Sequence, residues 1–124
     1  MAELRRFDAT KFSCDIFGDF SMQPREFLPG PPVRKDSVNV GIITMTENAP
    51  HGGEVHPDGD EFLYVISGRL RVSGDNLGDI ELGPGEGCIV PQGEWHKVDV
   101  LEVTQLIYMT PGPNGDHRPL PDAE

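Results

Sequence analysis

Three features of this 124-residue chain predict an all-β fold, either a sandwich or a closed barrel. Apolar residues alternate with polar or small ones in short runs, as in Val38, Val40 and Ile42. Clusters of Gly, Pro, Asn and Asp separate those runs at regular spacing. The length suits one domain and is too short for two.

Taken in order, residues 1–36 read as an irregular arm. Phe7, Phe12, Ile16, Phe17, Phe20 and Phe27 lie among Gly, Pro and polar residues with no period of 3.6 or 2. The run from Leu28 to Pro32 forbids a helix there. Disordered arms are poor in aromatics, so this one is expected to lie on the barrel or on a partner subunit. The barrel spans residues 37–110, and its first strand reaches about Glu47. A loop dense in breaking residues covers 48–53, followed by a short strand from Glu54 to His56 and a tight turn at Pro57-Asp58-Gly59. Glu61 to Ser67 and Arg69 to Ser73 read as two strands about a turn or bulge at Gly68. Gly74 to Gly78 forms a hairpin loop. Strands over 79–82 and 87–90 flank the Gly83-Pro84-Gly85 turn, and Trp95 to Val100 and Val103 to Met109 complete the set. The tail, 111–124, is too rich in Pro for regular structure.

The formal net charge of -11 argues against nucleic acid and anionic membrane surfaces as partners, because both need basic patches. No apolar run approaches membrane-spanning length, and the N-terminus has no apolar signal core, so a cytoplasmic location is expected. Cys14 and Cys88 fit neither a Cys-x-x-Cys site nor a dense disulfide framework and read as reduced thiols. Cys88 sits in an apolar run and reads as a small buried hydrophobe.

Strand parity gathers one set of chemical groups. Residues two apart on a strand share a face, so Glu54 and His56 project together. Glu61 shares a face with Leu63 and Val65, and His96 with Val98 and Val100, which places both on the apolar inward side. Glu54, His56, Glu61 and His96 are therefore the candidate metal ligands. Two imidazoles with one or two carboxylates suit a divalent Fe, Mn, Ni, Cu or Zn ion. Ligation needs neutral imidazole, so affinity should fall as pH drops through the ordinary His range. His51 is the alternative to Glu54 as first ligand. It lies five residues before His56, on the opposite face unless Gly52-Gly53 breaks the alternation, and is placed at the mouth of the site. Asp60 competes with Glu61, and Glu61 is preferred because it continues the apolar inward face. Trp95 should face outward, against the arm or another subunit, and His117 should be solvated. The Gly83 to Gly87 turn lacks the Lys-Ser/Thr and the helix of a phosphate loop.

Two stretches carry a family resemblance. In the first, Glu54-Val55-His56 is followed by four residues, Glu61, six residues and Gly68. In the second, Gly85 is followed by five residues, then Pro91-x-Gly93, two residues, His96, three residues and Val100. Together they resemble the paired motifs of the cupin superfamily over roughly Val38 to Thr110, with Glu54 in the slot of the usual first His and Val100 in that of the usual Asn. The resemblance implies a double-stranded β-helix, a small jelly-roll barrel with one small-molecule site inside. Cupins of this size include dioxygenases, isomerases, lyases and decarboxylases as well as proteins that only bind a ligand. The expected function is a metal-dependent enzyme acting on a small organic molecule, with Glu54 or Glu61 as a base once released from the metal. A binding module without turnover is the alternative. The strand edges of a small jelly roll and the aromatic arm both call for cover, so a homodimer is expected.

Overall fold

The computed structural model describes residues 3–27 and 37–121. Among these residues there are nine strands and no helix, hence none long and apolar enough to cross a membrane. The strands are β1 Phe12–Phe17, β2 Met22–Glu26, β3 Ser37–Met45, β4 Gly53–Val55, β5 Glu61–Gly74, β6 Gly78–Leu82, β7 Gly87–Val90, β8 His96–Pro111 and β9 Asp116–Arg118. They join in one curled antiparallel sheet with the path β2-β1-β3-β8-β4-β9, while β5 pairs with β6, β7 and β8. This is the small jelly roll that the paired motifs imply.

β5 and β8 form the spine. Their register runs from Phe62 opposite Met109 to Gly74 opposite His96. Each was expected as two strands, yet each is continuous. The chain bends through register shifts between Val65 and Leu70 instead of stopping at a turn. Gly68, at φ 92°, sits in this bulge, and a Cβ there would run into the Val103 carbonyl oxygen. The freed backbone groups are met by the fully buried Thr104, whose Oγ1 accepts from the Arg69 amide at 2.9 Å and donates to the Glu102 carbonyl at 2.8 Å. The inward residues Leu63, Val65, Leu70 and Val72 of β5 pack with Leu82, Val90 and Leu106 as the apolar core. Cys88 packs half-buried against it.

Two segments expected to be irregular carry strands. The arm holds the β1–β2 hairpin, and β1 extends the sheet by pairing with β3. Its inward residues are polar, which is why hydrophobic periodicity misses it. Ser13 and Asp15 are buried, and Asn39 Nδ2 donates to Ser13 Oγ at 2.8 Å and to Asp15 Oδ1 at 2.9 Å. Arg25 Nε lies 3.1 Å from Asp15 Oδ2, and the Tyr108 hydroxyl donates to Asn39 Oδ1 at 3.0 Å. Phe7 and Phe20 remain exposed, so the arm does not bury all its aromatics on its own barrel. The Leu28 to Pro32 run lies outside the described residues. In the tail, Pro111, Pro113, Pro119 and Pro121 flank β9 without interrupting it, and β9 pairs with β4.

Candidate metal centre

Two of the four candidate ligands are the first residues of the spine strands. Glu61 opens β5 and His96 opens β8, and both side chains point into the sheet's concave side, 4% and 1% exposed. Glu54, on β4, is placed opposite His96 by strand register, and His56 follows one residue beyond the end of that strand. The ligand atoms of Glu54, His56, Glu61 and His96 all lie within 4.8 Å of one another. Glu61 bridges the two imidazoles: its Oε2 is 3.0 Å from His56 Nε2 and its Oε1 is 3.0 Å from His96 Nε2. Glu54 Oε1 is 3.5 Å from His56 Nε2 and 3.4 Å from His96 Nε2.

The surroundings prepare these groups for a cation. Thr110 Oγ1 donates to Glu61 Oε2 at 2.7 Å and aims the carboxylate. His96 Nδ1 lies 3.2 Å from the Glu94 carbonyl, an acceptor only, so Nδ1 carries the proton and a neutral ring offers the Nε2 lone pair inward. Among the described residues neither ring nitrogen of the buried His56 has a hydrogen-bond partner. Its Nε2 is close to Glu61 but not aligned with it. Two imidazoles and two carboxylates with their ligand atoms this close are the donor set of a divalent ion, and the cluster therefore fits a metal ion.

Charge coupling points the same way. Burial pushes both imidazoles down, but the two carboxylates outweigh it, lifting His56 to about 9 and His96 to about 10. Burial pushes Glu54 and Glu61 up, and the imidazoles outweigh that and hold both carboxyls below the ordinary carboxylate range. Two imidazolium protons thus balance two carboxylates, the same charge that a single divalent ion would supply.

The remaining candidates fall outside the cluster. His51 Nδ1 accepts from the Gly53 amide at 3.2 Å, and its Nε2 is 3.9 Å from Glu54 Oε2. It lines the mouth, behind Glu54. Asp60 turns away and accepts from the Gln92 amide at 2.8 Å. His117 is exposed, as expected, and its ring centroid lies 5.7 Å from that of His51, a neighbour that sequence spacing did not offer, because β9 pairs with β4. Trp95 packs under the Arg118 guanidinium, 5.0 Å from the ring centroid, and so contacts the tail instead of the arm. Thr110 and Glu94 were missed by sequence reasoning. Thr110 continues the inward parity of Leu106 and Tyr108, a signal hidden when the strand is ended at Met109. Glu94 is buried as the cap of its loop, accepting from the Asn76 amide at 2.8 Å and from its side chain at 2.9 Å.

A cavity of about 260 Å³ opens beside the cluster. Glu54, Glu61, Thr110 and His51 form its polar part, and aliphatic side chains and the Tyr108 ring form the rest. Gly41 makes room for that ring, since a Cβ there would collide with it.

Comparison with known proteins places this geometry in a family. The cupin domain profile matches residues 41–110, more than half of the chain. No curated protein sequence matches significantly. Among solved structures, the chain is similar to an oxalate decarboxylase of Bacillus subtilis, with TM-score 0.55 and 18% identity over 64% of this chain and 23% of that one. It is similar to a cupin-2 domain containing protein of Shewanella frigidimarina, with TM-score 0.52 and 22% identity over 68% of this chain and 84% of that one. The protein NMB1881 of Neisseria meningitidis gives TM-score 0.54 and 16% identity over 71% and 88%. The chain spans less than a quarter of the decarboxylase, and identities this low speak to fold alone. With both motifs in one barrel and the family profile covering most of that barrel, the chain belongs to the cupin family.

Proposed function

We propose that this cupin holds one divalent transition metal ion, Fe, Mn, Ni, Cu or Zn, on Glu54, His56, Glu61 and His96, and acts on a small organic molecule in the adjoining cavity. The observation that carries the reading is the convergence of the buried His56, Glu61 and His96 with Glu54, their ligand atoms within 4.8 Å of one another. Bound there, the ion would supply Lewis acidity or redox chemistry. The protein's own residues divide the remaining work. Glu61, pinned by Thr110 and buried, holds position. Glu54 is the most exposed of the four, 34% in its side chain, and borders the cavity, so it is the carboxylate placed to exchange a proton with a bound molecule. His51 stands behind it as the next group toward the mouth. A dioxygenase, isomerase or lyase reaction fits this division; the name of the Bacillus decarboxylase does not choose among them. Metal analysis of untagged protein, followed by titration of the chelator-treated form, tests the reading. About one ion per chain, lost in Glu61→Gln, is expected. A protein that neither carries nor takes up metal would leave only a ligand-binding cupin.

The same reading includes a homodimer. Phe62 and Ile89 are neighbours across β5 and β7 on the convex face and are 38% and 67% exposed, apolar surface that a second copy would cover. A monomer mass by light scattering at micromolar concentration would refute it.

A further inference from the structure

We propose that the cavity selects a neutral, mainly apolar small molecule bearing one uncharged polar group, and rejects carboxylate anions. The inference deepens the metal-centre reading and rests on it for the polar end of the cavity. The body of the cavity is walled by Ile43, Met45, Leu63, Val98, Leu106 and the Tyr108 ring. Its polar groups converge at one end, where Glu54 and Glu61 contribute two negative charges. Among the described residues no Lys or Arg lines it. Arg25 lies beyond the Tyr108–Asn39 hydrogen bond and is already engaged by Asp15 at 3.1 Å. A divalent ion bound by two carboxylates and two neutral imidazoles carries no excess positive charge, so the centre itself does not attract an anion. The net charge of -11 works further against anion entry.

An anion brought into this cavity would lose its hydration with no Lys or Arg to meet it and only a metal centre of no net positive charge at its end, which is unfavourable. A neutral molecule buries its apolar body against the walls and either donates a hydroxyl to Glu54 or the Thr110 oxygen or turns a carbonyl toward the ion. Size narrows the class. A dry cavity of about 150 Å³ takes benzene, so one of about 260 Å³ takes a single ring with a short substituent, or a branched chain of similar bulk.

A matched pair of probes tests this. Benzyl alcohol and benzoate share their ring and differ in charge, and oxalate adds a small dianion. Each is titrated at one pH and ionic strength into chelator-treated and Zn²⁺-loaded protein, following the methyl resonances of Leu63 and Leu106. Benzyl alcohol should shift these methyls and bind at least tenfold more tightly than benzoate, and oxalate should not displace it. Met45→Lys, at a half-buried position where a long side chain can reach water, should shrink that ratio at least threefold by strengthening benzoate. Benzoate or oxalate binding as tightly as benzyl alcohol to the unsubstituted protein overturns the proposal. So does a protein that takes up Zn²⁺ stoichiometrically while its cavity methyls ignore benzyl alcohol; the metal centre would survive that result. Persistence of the tenfold preference in a protein that binds no Zn²⁺ would support the ligand class and remove only the metal reading.

Discussion

Glu61 and His96 are held by the longest strand pair of the sheet, whereas Glu54 and His56 come from the end of one of the shortest strands. The deep pair is buried to within a few per cent and braced by Thr110 and the Glu94 carbonyl. The shallow pair depends on β4, which meets β8 at a single residue pair and is otherwise carried by the tail strand β9. That tail is latched by Arg118. Its guanidinium donates to both Asp75 oxygens, at 2.8 and 2.6 Å, and to the Gly52 carbonyl at 3.2 Å. One half of the site is thus fixed by the barrel, and the other is set by local, partly exposed contacts that can shift without unfolding the core.

The largest expected effect is that of pH, which acts on both halves together. In the ion-free protein His56 and His96 are raised to about 9 and about 10. A raised imidazole stabilises the fold fully below its ordinary value of 6.5 and loses that contribution as pH rises through the folded value. Thermal stability of chelator-treated protein should therefore fall between pH 6.5 and 9, with the metal-loaded form holding nearly level. The two depressed carboxyls act oppositely: their contribution is present above 4.5 and is lost as pH falls below it. Metal must displace both imidazole protons, so affinity should climb by up to ~100-fold per pH unit below pH 9, above the window expected for free His. Affinity that is flat from about pH 5 to 8.5 in calorimetric titrations would show that the imidazoles are not ligands, whereas a rise confined to below about pH 6.5 would show ligating imidazoles that are not raised.

Glu61→Gln attacks the deep half. It should weaken metal binding by ~100-fold or more, about 2.7 kcal/mol, and destabilise the ion-free protein by about 3 kcal/mol, because it leaves buried imidazolium without its closest carboxylate. Urea unfolding and metal titration on the same sample check both. Glu54→Gln attacks the shallow half and should cost less, ~10-fold in affinity or about 1.4 kcal/mol, while Glu54→His should retain metal. A Glu54→Gln loss exceeding that of Glu61→Gln would reverse the comparison.

Arg118→Ala releases the tail and leaves all four ligands in place. Metal affinity should fall by less than the ~10-fold typical of losing a partner that touches a ligand directly, and the Trp95 emission should shift as its cation cover goes. His51→Ala should change affinity by less than about threefold, as befits a group that meets the site only through Glu54. A larger effect in titrations of either variant would place the tail or His51 inside the site.

The strand segments of β3 to β8, with β5 and β8 each read as two, and the inward set Glu61, Leu63 and Val65 were legible from period-two alternation and from the spacing of Gly and Pro, while the convergence of Glu54, His56, Glu61 and His96 followed from that parity joined to the resemblance to the paired cupin motifs. Alternation and turn spacing are local properties, set by pleat geometry and by which residues tolerate a turn. The β1–β2 hairpin was not legible, because Ser13 and Asp15 face inward and are satisfied by Asn39, more than twenty residues away, and by Arg25 on the neighbouring strand. The same holds for β9, whose backbone finds its partners only when β4 lies alongside, and for Thr110, whose role exists only once Glu61 stands opposite it. The cavity's charge is likewise a product of assembly. Alternation says which side chains turn inward, but only the packed barrel determines that carboxylates reach this space and that Arg25, paired to Asp15, stays outside it.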